Sequence, residues 1–372
     1  MITTRALLAA SAIALAAPAA AEEITASVWF PDTHPLTRDG YLALADEVKA
    51  LTNGDLTVQV YTGTALLPPI AHLSGLQDGI VQMTYHAGTY TPSDLPEDNT
   101  VASLAISLPD SMVTTLAVAD FYLNDPDMQA MFDRLGMVFL GSYATPQYIL
   151  MCSKEVKSLD DMRGKKLRMP SPMHAAWAES VGAVPVNVPS SEMFSGLEKG
   201  QLDCAVNAAN DMKARSLWDV AKYTTMLELG PYFAGWLHAM SDSAWQGLSE
   251  EHRKAMIQAI PSRVVDTTVA QQEAADEALA EAPDHGVTVI EPSEELAQSL
   301  AAFVSGEMDG ITVSTGEKLG VKDPAALAQR FKDTYAKWEG LLAEVPEDDL
   351  DTIKQIFRTE VYDKLDLSSY GL

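Results

Sequence analysis

Against 52 acidic side chains, one arginine stands where binding chemistry is expected. Arg168 lies in KKLRMP, residues 165–170, at the C-terminal end of a short strand. Asn207 closes another, LDCAVN. In open α/β sheets small molecules bind in the crevice outside such strand ends, so the guanidinium and the amide are expected at one cleft. A guanidinium offers a planar fork of donors that matches a carboxylate and stays charged at any working pH. Taken out of water it demands an anion. The competing partner is Asp203, which would reduce Arg168 to a tie between two strands.

Other side chains fall at or near strand ends. Phe30, Tyr148 and Trp236 are candidate aromatic walls, although large aromatics also dominate protein cores. His86 and His34 follow strands and are candidate contacts, because loops at strand ends tend to carry function. Enzyme signatures are absent: there is no GxSxG, HExxH, GxGxxG or phosphate-cradling GxxxxGK[ST]. The seven histidines are scattered singly, without zinc spacing, so no catalytic residue, cofactor or metal is expected. Cys152 and Cys204 belong to no CxxC motif. An oxidising compartment would allow them to pair, and two buried thiols fit predicted strands equally well.

The positioning elements follow from periodicity. An apolar stretch from Ile24 to Phe30 predicts a strand, PDTHP turns the chain, and Leu44, Ala45, Val48 and Leu51 recur at helical spacing until Asn53-Gly54. LTVQVYT, a short helix ending near Gly79, and IVQMTYHAG repeat the pattern. A second series begins near Tyr148: strand YILMC, a helical turn KSLDDMRG, strand KKLRM, helix HAAWAESVG, extended AVPVNV, a helix to Lys199, then LDCAVN. Repeated strand–helix units predict an α/β protein with largely parallel sheets under helical cover. Beyond Pro231 the pattern is mostly helical. SEEHRKAMIQAI is one helix, and the alanine-rich segment from Ser262 to Ala282 is long enough to run between domains.

The 372 residues are 47% hydrophobic, enough for two domains. The N-terminus has one cation, Arg5, an apolar run from Ala6 to Ala17, and Ala19-Ala20-Ala21 before Glu22. This is the layout of a cleaved secretory signal over residues 1–21. No cysteine stands at the cleavage site to take a lipid, so the expected address is free in a periplasm. The net charge of −27 becomes −28 once Arg5 leaves, which argues against nucleic acid and anionic membranes as partners.

GKKLRMP, followed by VGAVPVNVPSSEMFSGLEKGQLD and then Asn207, resembles the solute-binding subunits of TRAP (tripartite ATP-independent periplasmic) transporters. The family pattern is a G-x-K-x-R element, an LGA-P segment, a Ser-Glu pair opening a helix, and A-L-x-x-G-x-x-D-G before an asparagine. The likeness extends upstream through GDLTVQVY and LQDGIVQM. It implies a two-lobed periplasmic binding fold with two mixed sheets, a hinge, and a long helix between the lobes. The expected division is 22–145 with 231–275 as the first lobe, 146–230 with 276–340 as the second, and 341–372 as a C-terminal helical extension.

The resemblance also implies function: capture of a small organic acid, Venus-flytrap closure, and delivery to a small and a large membrane subunit by a monomer. Arg168 matches the residue that grips the carboxylate, and Asn207 the ligand-contacting asparagine. Glu192 matches the acid that opens a helix. Where many members carry a second arginine or a glutamine, this chain has Gln147 and Tyr148, which weakens a C4-dicarboxylate reading. Members that bridge an oxo-acid through a metal use a glutamine there and an acid beside the asparagine; Gln147 fits and Ala208 does not. Ser190 replaces a frequent aromatic and leaves space. A ligand-sensing periplasmic module and a periplasmic hydrolase are the alternatives.

Overall fold

The computed structural model describes residues 21–372, and the expected signal segment falls outside them except for Ala21. Among the described residues eleven strands form two sheets. In chain order they are β1 (Glu22–Ser27), β2 (Leu56–Tyr61), β3 (Met83–Ala87), β4 (Met137–Gly141), β5 (Tyr148–Cys152), β6 (Lys166–Arg168), β7 (Val184–Val186), β8 (Cys204–Ala208), β9 (Tyr223–Thr225), β10 (Gly235–Ser241) and β11 (Thr288–Ile290). The first sheet has the order β2-β1-β3-β10-β4 and the second β11-β9-β5-β8-β6-β7. Each is mixed: β10 runs antiparallel to β3 and β4, and β5 antiparallel to β8 and β9. The fold is therefore the two-lobed α/β arrangement expected from the sequence.

Two extended segments, residues 142–147 and 226–234, cross between the sheets side by side. Thr145 N donates to Tyr232 O and Tyr232 N to Thr145 Oγ1, both at 2.9 Å, and Tyr148 and Leu229 exchange further bonds with the opposite crossing. Gly230 within the second crossing and Gly235 just after it have φ of 78° and 94°. A Cβ there would collide with the carbonyls of Ala105 and His86 respectively. Positive φ together with this close backbone approach leaves glycine as the residue that fits.

A third connection is the 32-residue helix Glu250–Glu281, opened by the Ser249 side chain, which accepts from His252 N. It packs on Ala43–Leu51 and Ser111–Asn124 from the first lobe and on Asn210–Ala214 from the second. The two helices expected on either side of Pro261 are one. Pro261 removes a single i→i−4 bond, and burial of residues on both sides of it holds the helix continuous. The segment 276–340, expected with the second lobe, divides. Thr288–Ile290 extends the second sheet, whereas Pro324–Leu342 packs on Pro96–Ala102 and Ser111–Asn124. There Trp338 and Lys337 both donate to Asp120. The C-terminal residues brace the edge strand β4, with Tyr362 and Tyr370 hydroxyls donating to Leu140 O and Phe139 O.

Cys152 and Cys204 are register partners on β5 and β8 and form a disulfide. It closes a 52-residue separation and ties together the strands that carry Tyr148 and Asn207. Replacing both by alanine is expected to lower stability by about 2–4 kcal/mol, because a loop of this length removes about 4 kcal/mol of unfolded-state chain entropy. Guanidinium unfolding checks this, and an unshifted midpoint would count against any contribution from the link.

Candidate functional site

Arg168 ends β6, and its side chain is 3% exposed. Nε donates to Val188 O at 3.1 Å and Nη1 to Val206 O at 3.0 Å. These bonds aim the guanidinium into a cavity between the lobes, where Nη2 has no protein acceptor among the described residues. Asp203, the possible internal partner, instead accepts from Lys166 N at 2.8 Å. No carboxylate of the described residues lies within ion-pair distance of Arg168.

The cavity measures about 30 Å³, and residues of both lobes line it. Trp29, Phe30, His34, Tyr85 and Tyr90 come from the first lobe, and Arg168, Ser190, Asn207 and Asp211 from the second. Tyr148 and Tyr232 stand at the crossings and Gln271 on the long helix. The Tyr148 and Tyr232 rings stack at 5.9 Å with 9° between their planes, forming one wall. Trp29 and Phe30 stack at 5.4 Å and form another. Burial pushes the Tyr148 phenol up, against the pull of Arg168, so it remains a neutral donor.

A chain of polar contacts spans the cleft beside these walls. His34 Nδ1 accepts from Leu36 N at 3.2 Å, which leaves the ring proton on Nε2. That atom lies 3.3 Å from Asp211 Oδ1. Burial lowers the His34 pKa despite the carboxylate beside it, so a neutral ring faces Asp211 Oδ1, which has no hydrogen-bond partner among the described residues. Asp211 Oδ2 accepts from Arg215 Nε at 2.9 Å and from the Asn207 amide. Burial opposes ionisation of Asp211, yet Arg215 and His34 hold its carboxyl down at about 2. Arg215 continues to Ser190 Oγ at 3.2 Å and lies 4.8 Å over the Phe30 ring. Ser190 N donates to the Tyr90 hydroxyl from the opposite lobe at 2.9 Å. The small residue at 190 is thus bonded by Tyr90 through its backbone and by Arg215 through its hydroxyl.

Arg168, Asn207, Tyr148, Phe30 and Ser190 thus converge on one cavity, whereas Gln147, His86 and Trp236 are placed elsewhere. The Gln147 amide donates to Leu108 O and Pro109 O; it precedes Tyr148 in extended chain, and neighbouring side chains there point to opposite faces. Trp236 lies within the first lobe, with Nε1 donating to Thr84 Oγ1 and its ring 4.9 Å from His86. His86 is fully buried against it and bonds Thr91. Sequence reasoning missed Asp211, Arg215, Tyr232 and Gln271. The i, i+4 spacing of Asp211 and Arg215 just after Asn207 was a readable signal; Tyr232 and Gln271 carried none. Among the described residues no group of three or more His, Cys, Asp or Glu is arranged to hold a metal, and no helix is long and apolar enough to cross a membrane.

Comparison with known proteins agrees with this architecture. The chain is 27% identical over 222 residues to the ectoine-binding periplasmic protein TeaA of Halomonas elongata, a match that covers 58% of this chain and 63% of that protein. The chain thus spans less than two thirds of that relative's length. It is 26% identical over 288 residues to the C4-dicarboxylate-binding periplasmic protein DctP of Rhodobacter capsulatus, covering 75% and 83% respectively. A marine-metagenome TRAP solute-binding protein from an unidentified microbe, solved with 3-hydroxybenzoate, superimposes with a TM-score of 0.77 at 21% identity, covering 86% of this chain and 100% of that one. That likeness concerns the fold. Residues 25–307 match the model of the bacterial extracellular solute-binding proteins of family 7, and the chain belongs to that family.

Proposed function

We propose that the protein is the periplasmic solute-binding subunit of a TRAP transporter. It captures a small organic acid by one carboxylate and delivers it to the small and large membrane subunits. The observation that carries this reading is Arg168: a buried cation, held by two backbone carbonyls, with its remaining nitrogen toward the cavity and no internal carboxylate on it. Tyr148, beside Arg168, is the neutral group that would take the second carboxylate oxygen, and Asn207 adds an amide from β8. The names of relatives that bind ectoine, C4-dicarboxylates and 2,3-diketo-L-gulonate support a transport role rather than catalysis. The aromatic walls favour a planar or apolar ligand body, in line with the neighbour that holds 3-hydroxybenzoate. Export as a monomer after cleavage ahead of Glu22 completes the reading.

Capture at micromolar to nanomolar concentrations requires about 8–12 kcal/mol, and a charge-assisted hydrogen bond contributes about 1.5–3 kcal/mol. Burial against the rings and lobe closure must supply the rest, with the ligand favouring the closed arrangement through its contacts to both lobes. A thermal-shift screen tests the reading with benzoate, 3-hydroxybenzoate, pyroglutamate, ectoine, propionate, lactate, succinate and malate. At least one acid should raise the melting temperature by several degrees, since a ligand at about 100 times its Kd adds about 2.7 kcal/mol to the folded state. It should be recovered chemically unchanged. A flat response across the panel rejects carboxylate capture, and turnover of the bound acid rejects a purely binding role.

A further inference from the structure

The cleft holds a second guanidinium, and its charge is already spent. Arg215 lies behind the cavity wall, over Phe30 and on Ser190 Oγ, and its carboxylate partner among the described residues is Asp211 at 2.9 Å. Asp211 is 4% exposed and lines the cavity; its Oδ2 accepts from Arg215 Nε and the Asn207 amide, while Oδ1, without a hydrogen-bond partner among the described residues, faces His34 Nε2 at 3.3 Å. A guanidinium and an amide on one carboxylate oxygen, with an imidazole nitrogen facing the other, are the surroundings of a carboxylate site. Its occupant is supplied by the protein. Lys213, the other cation on this short helix, points outward to Glu277 and Glu281 and does not enter the charge count of the cavity.

We infer that Asp211 fills, from within the chain, the place a second ligand carboxylate would take, and thereby restricts the cavity to acids bearing one carboxylate. The inference rests on the carboxylate-capture reading and names the residue that sets its charge selectivity. With Arg168 and Arg215 positive, Asp211 negative and His34 neutral, the walls carry one net positive charge, which a monocarboxylate cancels. A dicarboxylate leaves one negative charge in a desolvated space beside Asp211, without a cation to meet it, a costly placement. Removing the Asp211 charge frees Arg215 and Asn207 to receive that second group. The same contacts also join the lobes, since His34 and Asp211 come from opposite sides of the cleft. A contact that only joined the lobes would influence every ligand equally, which separates the two roles.

The test uses acids that differ by one added carboxyl group: propionate and succinate, lactate and malate, benzoate and isophthalate, titrated calorimetrically into the mature protein. In the wild type the better-bound monocarboxylate should exceed its dicarboxylate partner by at least about 30-fold in affinity, a difference near 2 kcal/mol. In Asp211→Asn that ratio should fall at least tenfold, through a gain by the dicarboxylate. Combining Asp211→Asn with Arg215→Met should cancel the gain, because no cation is left uncovered. Equal wild-type affinity for both members of a pair overturns the inference and needs no variant to fold. So does an Asp211→Asn protein that weakens or strengthens both members alike. Failure of the wild type to bind any acid overturns carboxylate capture itself and this inference with it, an outcome distinct from binding without charge selectivity.

Discussion

Arg168→Ala is expected to lose about 30-fold to several-thousand-fold in affinity for whichever carboxylate the wild type binds. Truncating one partner of a buried, hydrogen-bonded charge pair costs about 2–5 kcal/mol, much of it from leaving the other charge desolvated. Here the abandoned charge is the ligand's, held in a space walled by Tyr148, Tyr232, Trp29 and Phe30. The cost to the fold should be smaller. Removing the guanidinium leaves Val188 O and Val206 O without these donors, at about 1–3 kcal/mol each if no water replaces them. Arg168→Lys keeps the charge but loses the fork that bonds both carbonyls while presenting a third nitrogen, so its affinity should lie between the two. Isothermal titration with circular dichroism on the unliganded variants separates the effects. Affinity within threefold of wild type in a folded Arg168→Ala protein would remove the guanidinium from the recognition mechanism.

Acidification should unfold the protein between pH 4 and 6, driven by buried histidines. Burial holds His72, His174 and His238 at about 4 and His86 at about 3, against an ordinary value of 6.5. Geometry agrees with neutral rings: His174 and His238 each place one ring nitrogen on a backbone carbonyl, and the second nitrogens of His86 and His238 have no partner at all. A second proton on either would be a buried, unmatched charge.

These folded-state values are depressed, so the histidines contribute fully above pH 6.5. That contribution drains away as the pH falls toward 4, where the unfolded chain binds protons that the native chain refuses. At 1.36 kcal/mol per pKa unit, each ring loses about 3 kcal/mol over that interval. Asp98 acts in the opposite sense. Burial raises its carboxyl to about 6 from 3.8, so the native state gains about 3 kcal/mol as the pH falls through that range. The net loss is on the order of 10 kcal/mol, comparable to the whole stability of a typical domain of about 5–15 kcal/mol. Tryptophan fluorescence should report an acid transition centred between pH 4 and 6. An equal urea midpoint at pH 4.5 and 7.5 would refute it. Asp211, held at about 2, adds its own loss only below this window.

Much of the scaffold was legible because it rests on local rules. The strands YILMC, KKLRM and LDCAVN announce themselves by apolar runs between glycine and polar turns, and β5, β6 and β8 lie where those runs lie. The position of Arg168 at a strand end, and of Asn207 at another, followed from the same pattern because parallel strands in one sheet end on one side. Pro261 shows the limit of local reasoning. Its intrinsic preference is to stop a helix, but packing against both lobes carries Glu250–Glu281 straight past it.

By itself, then, the sequence determined the strand–helix alternation and the strand ends at which a cation and an amide would stand, since these depend on periodicity and neighbouring residues. The two-lobed class was implied by the resemblance of the GKKLRMP-to-Asn207 segment to a family. Only the tertiary structure decided which side chains share the cavity. Strand-end position does not say which face of the sheet a residue points to, so Tyr148 enters while Gln147, one step earlier, turns to Leu108 and Pro109. His86 and Trp236 likewise turn into the first lobe. His34, Asp211 and Gln271 meet across segments far apart in the chain because the crossings and the long helix bring the lobes together. Charge cancellation between Arg215 and Asp211 is legible as a helical spacing, but its place beside Arg168 is a consequence of burial in three dimensions.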